Sequence, residues 1–411
     1  MNHPHKHIYA KLNEINKRFP VINEKDPEFQ RETQELIQMF KDVQAFRISG
    51  EERSTTLKLL HYCLSKQPVK ELALLNDCID VSIFHSIITL PLETLVIYAF
   101  KNITNNWTGT KFHTLRINES KIEKNFFVGL KDNVDLQALS LYDDGLEDEQ
   151  ASEIAEFLSK SSLKELDLSL NNFSKVGFRK IVEQLRKSHL EVFNISYNPI
   201  GSGLGFLVDI NLKILVLDGV DMDIDGVQPF AKSLKSNLKL THLSLENSTF
   251  TLEAVKCLFE AIAFNICIHT LNLMDIKVEG YYFDSLSEMI KKNRGIRMLK
   301  LDDDELDYEG NRYITHIDTG NSESDSEDEE EDGLDELLYR NKEAQHHGYL
   351  EVVKHKHLID LLNLPTELQY MVFAVFSLHC KIPYSHIHGL YQSFQLGNDA
   401  VMRHIFDLVR E

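Results

Sequence analysis

The sequence predicts an α/β solenoid of parallel strands backed by helices, followed by a small all-α C-terminal region. Three observations carry this. Apolar anchors recur along about two-thirds of the chain at intervals of 20 to 28 residues. Within each unit two further anchors are separated by one residue, the alternation of a short strand that buries one face. In several units the residues between strands carry apolar side chains at helical spacing.

Residues 1–42 read as a helical N-terminal cap. Ile8–Phe19 and Phe29–Phe40 have the periodicity of two short amphipathic helices, with Pro27 placed near a helix start. An open solenoid must seal the ends of its core, and this is the role predicted for the cap.

The repeat domain is predicted over 43–317, with about eleven repeats. LKELDLSLNNF begins at Leu163 and LEVFNISYNPI begins at Leu190, 27 residues later. The first anchor of that pattern recurs at Val43, Val69, Leu92, Phe112, Leu136, Leu163, Leu190, Leu212, Leu240, Ile268 and Ile296, and the last three intervals are all 28 residues. Pairs such as Leu95/Ile97, Leu139/Leu141, Leu215/Leu217 and Leu271/Leu273 supply positions four and six. A lone strand cannot bury that face, whereas parallel stacking of neighbours builds one continuous core. Helical spacing follows at Ile154/Phe157/Leu158, Phe178/Ile181/Val182/Leu185, Val255/Leu258/Phe259/Ile262 and Leu286/Met289/Ile290. Units of 20 to 24 residues leave room only for a truncated helix or an irregular turn. At position nine Asn171 and Asn198 are predicted to bond the turn backbone, with Asp77, Ser120, Asp144, Ser248 and Asp304 as partial substitutes. Phe100, Val220 and Ile276 have no such group, so their turns must close another way.

These segments fit LxxLxLxxNxL, and the chain resembles the leucine-rich-repeat family over roughly Val43 to Arg312; its helix-bearing units are similar to the ribonuclease-inhibitor type. The resemblance implies a right-handed horseshoe, its parallel sheet inside and its helices outside, used as a scaffold for protein recognition.

Residues between the anchors are expected on the concave face. Position five carries Ala73, Val96, Arg116, Ser140, Asp167, Asn194, Val216, Ser244, Asn272 and Lys300. Positions seven and eight hold seven carboxylates and no Lys or Arg over ten strands, an acidic rim that would steer a basic partner. Tyr98, Tyr142 and Tyr197 are the expected aromatic anchors. With Arg116, Asn194, Asp218, Glu246, Asn272 and Met274 they form the predicted partner-binding set.

Residues 318–333 are predicted to be an acidic disordered linker. Ten carboxylates fall between Glu323 and Glu336 with no Lys or Arg, a composition that cannot bury apolar surface. Ser322, Ser324 and Ser326 each precede an acidic residue at the third position, as in substrates of acidophilic kinases. Residues 334–411 are read as a helical C-terminal domain. Within it Leu364, Pro365, Glu367, Leu368, Val372 and Phe373 resemble the opening of an F-box, although the Val and Trp of its second half are missing. That resemblance implies a substrate receptor of a ubiquitin ligase, with Leu364, Pro365, Leu368, Val372 and Phe373 docking the adaptor. Gly348–Lys354 is similar to the start of the second helix of an ankyrin unit.

Composition narrows the function. The net charge of −20 repels phosphate backbones, so the expected partner is a protein with a basic surface, not nucleic acid. The longest apolar run, Met371 to Leu378, is too short to span a bilayer, and no membrane partner is expected. Five cysteines without a CxxC pair, and an N-terminus without a signal-like apolar stretch, predict a cytoplasmic protein with free thiols. No phosphate-binding glycine loop, HExxH or GxSxG occurs, so no cofactor and no catalytic residue is predicted. The histidines (His3, His5, His7, and His346, His347, His355, His357) do not fall into a zinc-spaced set, nor do Asp302–Asp304 converge, and no metal is predicted. Repeats followed by an acidic stretch are also similar to GTPase-activating proteins of the Ran system, which implies positioning of the GTPase glutamine. The layout further resembles leucine-rich-repeat effectors of intracellular bacteria, which implies the host cytosol. The function expected first is a non-enzymatic interaction scaffold, with these three as alternatives; the oligomeric state is left open.

Overall fold

The structure, a computed structural model, describes residues 6–48, 54–75, 81–101, 103, 107, 109–131, 133–302, 311 and 313–318. The acidic run, Ser322, Ser324, Ser326, the F-box-like segment Leu364–Phe373 and the remaining C-terminal helices expected from the sequence lie outside the described residues.

The strands in chain order are β1 (Ala45–Ile48), β2 (Glu71–Leu75), β3 (Thr94–Tyr98), β4 (Thr114–Asn118), β5 (Ala138–Tyr142), β6 (Glu165–Asp167) and β7 (Val192–Asn194). Then come β8 (Ile214–Val216), β9 (Asp221–Met222), β10 (His242–Ser244), β11 (Thr249–Thr251), β12 (Thr270–Asn272), β13 (Lys277–Glu279), β14 (Met298–Lys300) and β15 (His316–Asp318). Twelve of them form one sheet in the order β1-β2-β3-β4-β5-β6-β7-β8-β10-β12-β14-β15, and β13-β11-β9 form a second. Every pairing is parallel. Position four runs in one register column from Leu95 through Leu115, Leu139, Leu166, Phe193, Leu215, Leu243, Leu271 and Leu299 to Ile317. Apart from the half-covered Ile317 at the end, these side chains are buried. Each contributes roughly 1.5–3 kcal/mol of apolar transfer. The sequence shows eleven such strands; the structure adds β15, anchored by Ile314 only 18 residues after Ile296.

The outer side carries helices whose length follows the unit length. The cap comprises α1 (Lys6–Arg18) and α2 (Pro27–Met39). The repeats add α3 (Ser54–Lys66), α4 (Val81–Ile88), α5 (Phe126–Leu130), α6 (Ala151–Lys160), α7 (Lys175–Leu185), α8 (Ile224–Leu234), α9 (Leu252–Phe264) and α10 (Phe283–Lys292). The 22-residue unit from Leu190 has only a 3-10 turn, Gly201–Phe206, and the 20-residue unit from Leu92 has no helix among the described residues. Side-chain caps start several helices: Asp26 accepts from Glu28 N and Phe29 N, Ser174 from Val176 N, Asp223 from Gly226 N and Thr251 from Ala254 N. At the N-terminal end Tyr9 stacks on Phe46 at 5.3 Å and Phe40 meets the same ring at 5.2 Å, closing the core with Ile8, Leu12, Phe29 and Leu36. No helix of the described residues is long and apolar enough to cross a membrane.

The strands end in a turn that the repeat template does not display. Position eight is left-handed in every described unit from the third to the tenth: Ala99, Glu119, Asp143, Leu170, Tyr197, Gly219, Asn247 and Asp275 all have φ between 50° and 63°. Its backbone N–H reaches the position-seven carbonyl of the next unit, as from Ala99 to Asn118 O (3.0 Å) and Tyr197 to Asp218 O (2.7 Å). A residue other than Gly, Asn or Asp is strained there. Ala99→Gly is therefore expected to raise stability by about 0.5–1 kcal/mol, seen as a higher urea midpoint, the relief of strain exceeding the entropy Gly brings. A lower midpoint would show that Ala99 is at ease.

Two side-chain ladders close the turns. On the side where the chain leaves the strands, Asn171 Nδ2 donates to Leu141 O (2.7 Å) and its Oδ1 accepts from Leu146 N (2.9 Å). Asn198 does the same one unit later with Leu168 O (2.9 Å) and Phe173 N (3.0 Å). Two of the units lacking a polar ninth residue borrow one from the next unit: Phe100 N donates to Ser120 Oγ (3.0 Å) and Val220 N to Ser248 Oγ (3.3 Å). On the side where the chain approaches the strands, a second ladder runs through Asn237, Asn265, Asn293 and Asn311, each three residues before a first anchor. Asn293 donates to Ile262 O (2.6 Å) and Asn265 O (2.9 Å) and accepts from Gly295 N and Ile296 N (both 2.8 Å).

Candidate functional site

The inner side of the sheet is where the fold offers side chains to a visitor. Positions four and six point into the core, so position five must point out of the opposite face. All ten position-five residues from Ala73 to Lys300 are half-buried or exposed, while their neighbours at four and six are buried.

Along the second half of this face the polar side chains are tied to one another. Asp167 accepts from Ser169 N (2.9 Å), Ser169 Oγ (2.6 Å) and Ser140 Oγ (3.3 Å). Asp218 accepts from Ser244 Oγ (2.6 Å) and Glu246 N (2.9 Å), and burial, ahead of these bonds, holds its carboxyl above the usual range. Asn272 donates to Ser244 Oγ (3.1 Å) and Glu246 Oε2 (2.9 Å) and accepts from Met274 N (3.1 Å). Asn194 accepts from Ser196 N (3.0 Å), and Lys300 pairs with Asp318 at 3.0 Å. Asp218, Glu246 and Asn272 thus belong to a cross-strand network, with Met274 held at its end, whereas the bond of Asn194 stays within its own unit.

The aromatic candidates form a different group, at the edge where the strands end. Tyr98 donates its hydroxyl to Glu119, and that bond, followed by burial, raises its phenol above the ordinary value. Tyr142 is 36% exposed and Tyr197 43%. Arg116 lies exposed in the middle of β4, between the strands of Tyr98 and Tyr142. The expected set therefore divides: Tyr98, Arg116, Tyr142 and Tyr197 cluster on β3 to β7, and the polar residues run from β7 to β12. The template reading did not single out Leu170, equally exposed at 36%, or Gly219, which lies under Tyr197. Both occupy position eight, and a comparison of that column alone would have found them.

At the opposite edge charges of both signs alternate, as in the pairs Lys70 with Glu93 and Lys213 with Glu191. There His269 lies near His242 and Arg297, whose guanidinium donates to Arg294 O, Gly295 O and Ile296 O. Burial, then the Arg297 charge, pushes His269 below the usual imidazole value. One group sits beneath the rim: Asp144, 5% exposed, accepts from Ser120 N (2.8 Å), but its Oδ2 has no partner, and burial pushes its carboxyl up to about 8. No group of three or more His, Cys, Asp or Glu among the described residues could hold a metal ion. On the convex side a cleft of about 350 Å³ opens between α9 and α10, lined by Phe259, Phe264, Met289 and charged side chains.

Comparison with known proteins gives one family match: the leucine-rich-repeat model fits residues 159–182. No curated protein matches the chain significantly. Among solved structures, an internalin, InlF of Listeria monocytogenes, is similar with 17% identity and a TM-score of 0.42, covering 75% of this chain and 94% of its own. TLR13 in its complex with ssRNA13 is similar at 13% identity and TM-score 0.42, with 69% of this chain covered. This chain spans only 40% of the length of that structure. A chain of the octameric complex of latrophilin 3, Unc5D and FLRT2 is similar at 15% identity and TM-score 0.33, covering 57% of this chain and 75% of that one.

Proposed function

We propose that this chain, a leucine-rich-repeat protein, is a non-enzymatic scaffold that holds a protein partner with a basic surface on the inner face of its sheet. The observation that carries this reading is the continuous exposure of position five along ten strands whose other face is sealed. A sheet surface of that length with Val96, Val216 and Met274 half-covered among polar neighbours has the mixed character of a recognition face.

Charge selects the partner. Glu119, Asp143, Asp218, Glu246, Asp275 and Asp302 stand at positions seven and eight, and none of those positions carries Lys or Arg. Such a field speeds encounter with a cationic surface and repels phosphate backbones and anionic lipid alike. The reading gives the face no catalytic step, because its serines and carboxylates are engaged with each other in pairs such as Ser244 with Asp218. It places the protein in a reducing compartment, consistent with free thiols at Cys63, Cys257 and Cys267; burial pushes Cys63 up to about 12 and Cys267 to about 11.

The test is site-specific photo-crosslinking in cells. A photoreactive residue at Arg116 should give discrete partner adducts whose yield falls as salt is raised, and one at Val176 on the outer helix α7 should not. Adducts from Val176 alone, or none from the inner face, would refute the reading.

A further inference from the structure

Taking the inner-face reading as given, we infer that the contact is made at one corner of that face, where β5, β6 and β7 end, and that this corner grips arginine side chains of an extended protein segment. Tyr142, Leu170 and Tyr197 stand on three consecutive units there, all markedly exposed. Their directions are fixed by the backbone: Asp143, Leu170 and Tyr197 have φ of 54° to 55°, each N–H bonded to the following unit. Tyr197 is positioned further by Gly219, since a Cβ built on that glycine would stand 2.2 Å from the tyrosine ring. A large apolar residue held exposed in a left-handed turn has no folding reason to be there.

The exposed Asp143 follows Tyr142 directly and stands one turn before Leu170, and the exposed Glu119 stands one turn before Tyr142. Farther along the sheet the polar groups already bond one another, and Glu119 accepts the Tyr98 hydroxyl with one oxygen, so what the corner offers is the Asp143 carboxylate and the exposed ring faces. A guanidinium meets both demands at once, stacking on a tyrosine face while offering two parallel N–H groups to a carboxylate; an ammonium offers only a point charge. Tyr142 and Tyr197 are two strands apart, which places their turns about 10 Å from each other. A polyproline-type segment returns the same side every three residues, about 9 Å, so the fitting pattern is Arg-x-x-Arg.

Fluorescence anisotropy on the full chain tests this with a labelled decapeptide carrying one Arg-x-x-Arg pair and its Lys-x-x-Lys counterpart. The arginine peptide should bind at least tenfold more tightly. Tyr197→Ala and, as a shape-preserving second variant, Asp143→Asn should each weaken it at least fivefold and erase the preference, while Val176→Ala on the outer helix leaves it intact. Equal binding of the two peptides, binding of neither, or indifference to both variants overturns the inference. If adducts from Arg116 persist in that case, the inner-face reading stands without it; if they vanish too, both fall.

Discussion

Asp144→Asn is expected to stabilise the repeat domain by about 4 kcal/mol at neutral pH, a large gain for a single buried exchange of nearly equal shape. The wild-type carboxyl is buried with one oxygen unpartnered, and near pH 7 it must take up a proton on folding because its folded value stands at about 8. An unfolded Asp titrates near 3.9, so the penalty is absent below that pH, grows between about 4 and 8, and is constant above. Asparagine carries no such linkage. In register with Asn171, whose Nδ2 donates to Leu141 O, Leu168 O and Ser169 O, it would donate to the equivalent carbonyls of Ile117, Leu141 and Tyr142. Urea midpoints at pH 5 and pH 8 should separate in the wild type and draw together in the variant. The same pH dependence in both proteins would show that Asp144 is not the group responsible.

The opposite outcome is expected of Asn293→Ala. Three buried backbone groups lose their partner at once, namely Asn265 O, Gly295 N and Ile296 N, while Ile262 O keeps only its bond from Asn265 N. At about 1 kcal/mol or more for each orphaned group, the loss is at least about 3 kcal/mol. Repeats touch only their neighbours, so the damage should stay local. Hydrogen exchange should quicken over β12 and β14 and be unchanged over β5 to β7. A loss below about 1 kcal/mol, or uniform acceleration along the chain, would contradict the ladder's role.

These two sites also show what could be read in the sequence. Position nine is legible because Asn171 and Asn198 fit a template, and burial of Leu, Ile and Phe at positions four and six follows from alternation alone. The second asparagine column was equally periodic, at steps of 28, 28 and 18 residues, yet it lies outside the strand pattern and looks like ordinary surface Asn. β15 was missed because its unit is short and its anchors are Ile314 and Ile317 without a leucine. The left-handed turns were hidden by Ala99 and Leu170, residues that propensity would never place there. Of the recognition residues, the tyrosines are visible as isolated exposed aromatics, whereas the engagement of Asp218 and Asn272 with neighbouring strands depends on cross-strand geometry that no single unit contains.

The uneven outer helices have a mechanical consequence. Strands in the sheet are spaced about 4.8 Å apart, whereas packed helices need about 8–10 Å, so a fully backed run must bend into an arc. The units around α8, α9 and α10 have that thick backing; those beginning at Leu92 and Leu190 do not. Bending should therefore be greatest where long helices stand side by side, as α6 beside α7 and α8, α9 and α10 together, and the thinly backed unit after β7 is the place where the arch gives like a spring when load is put on its ends.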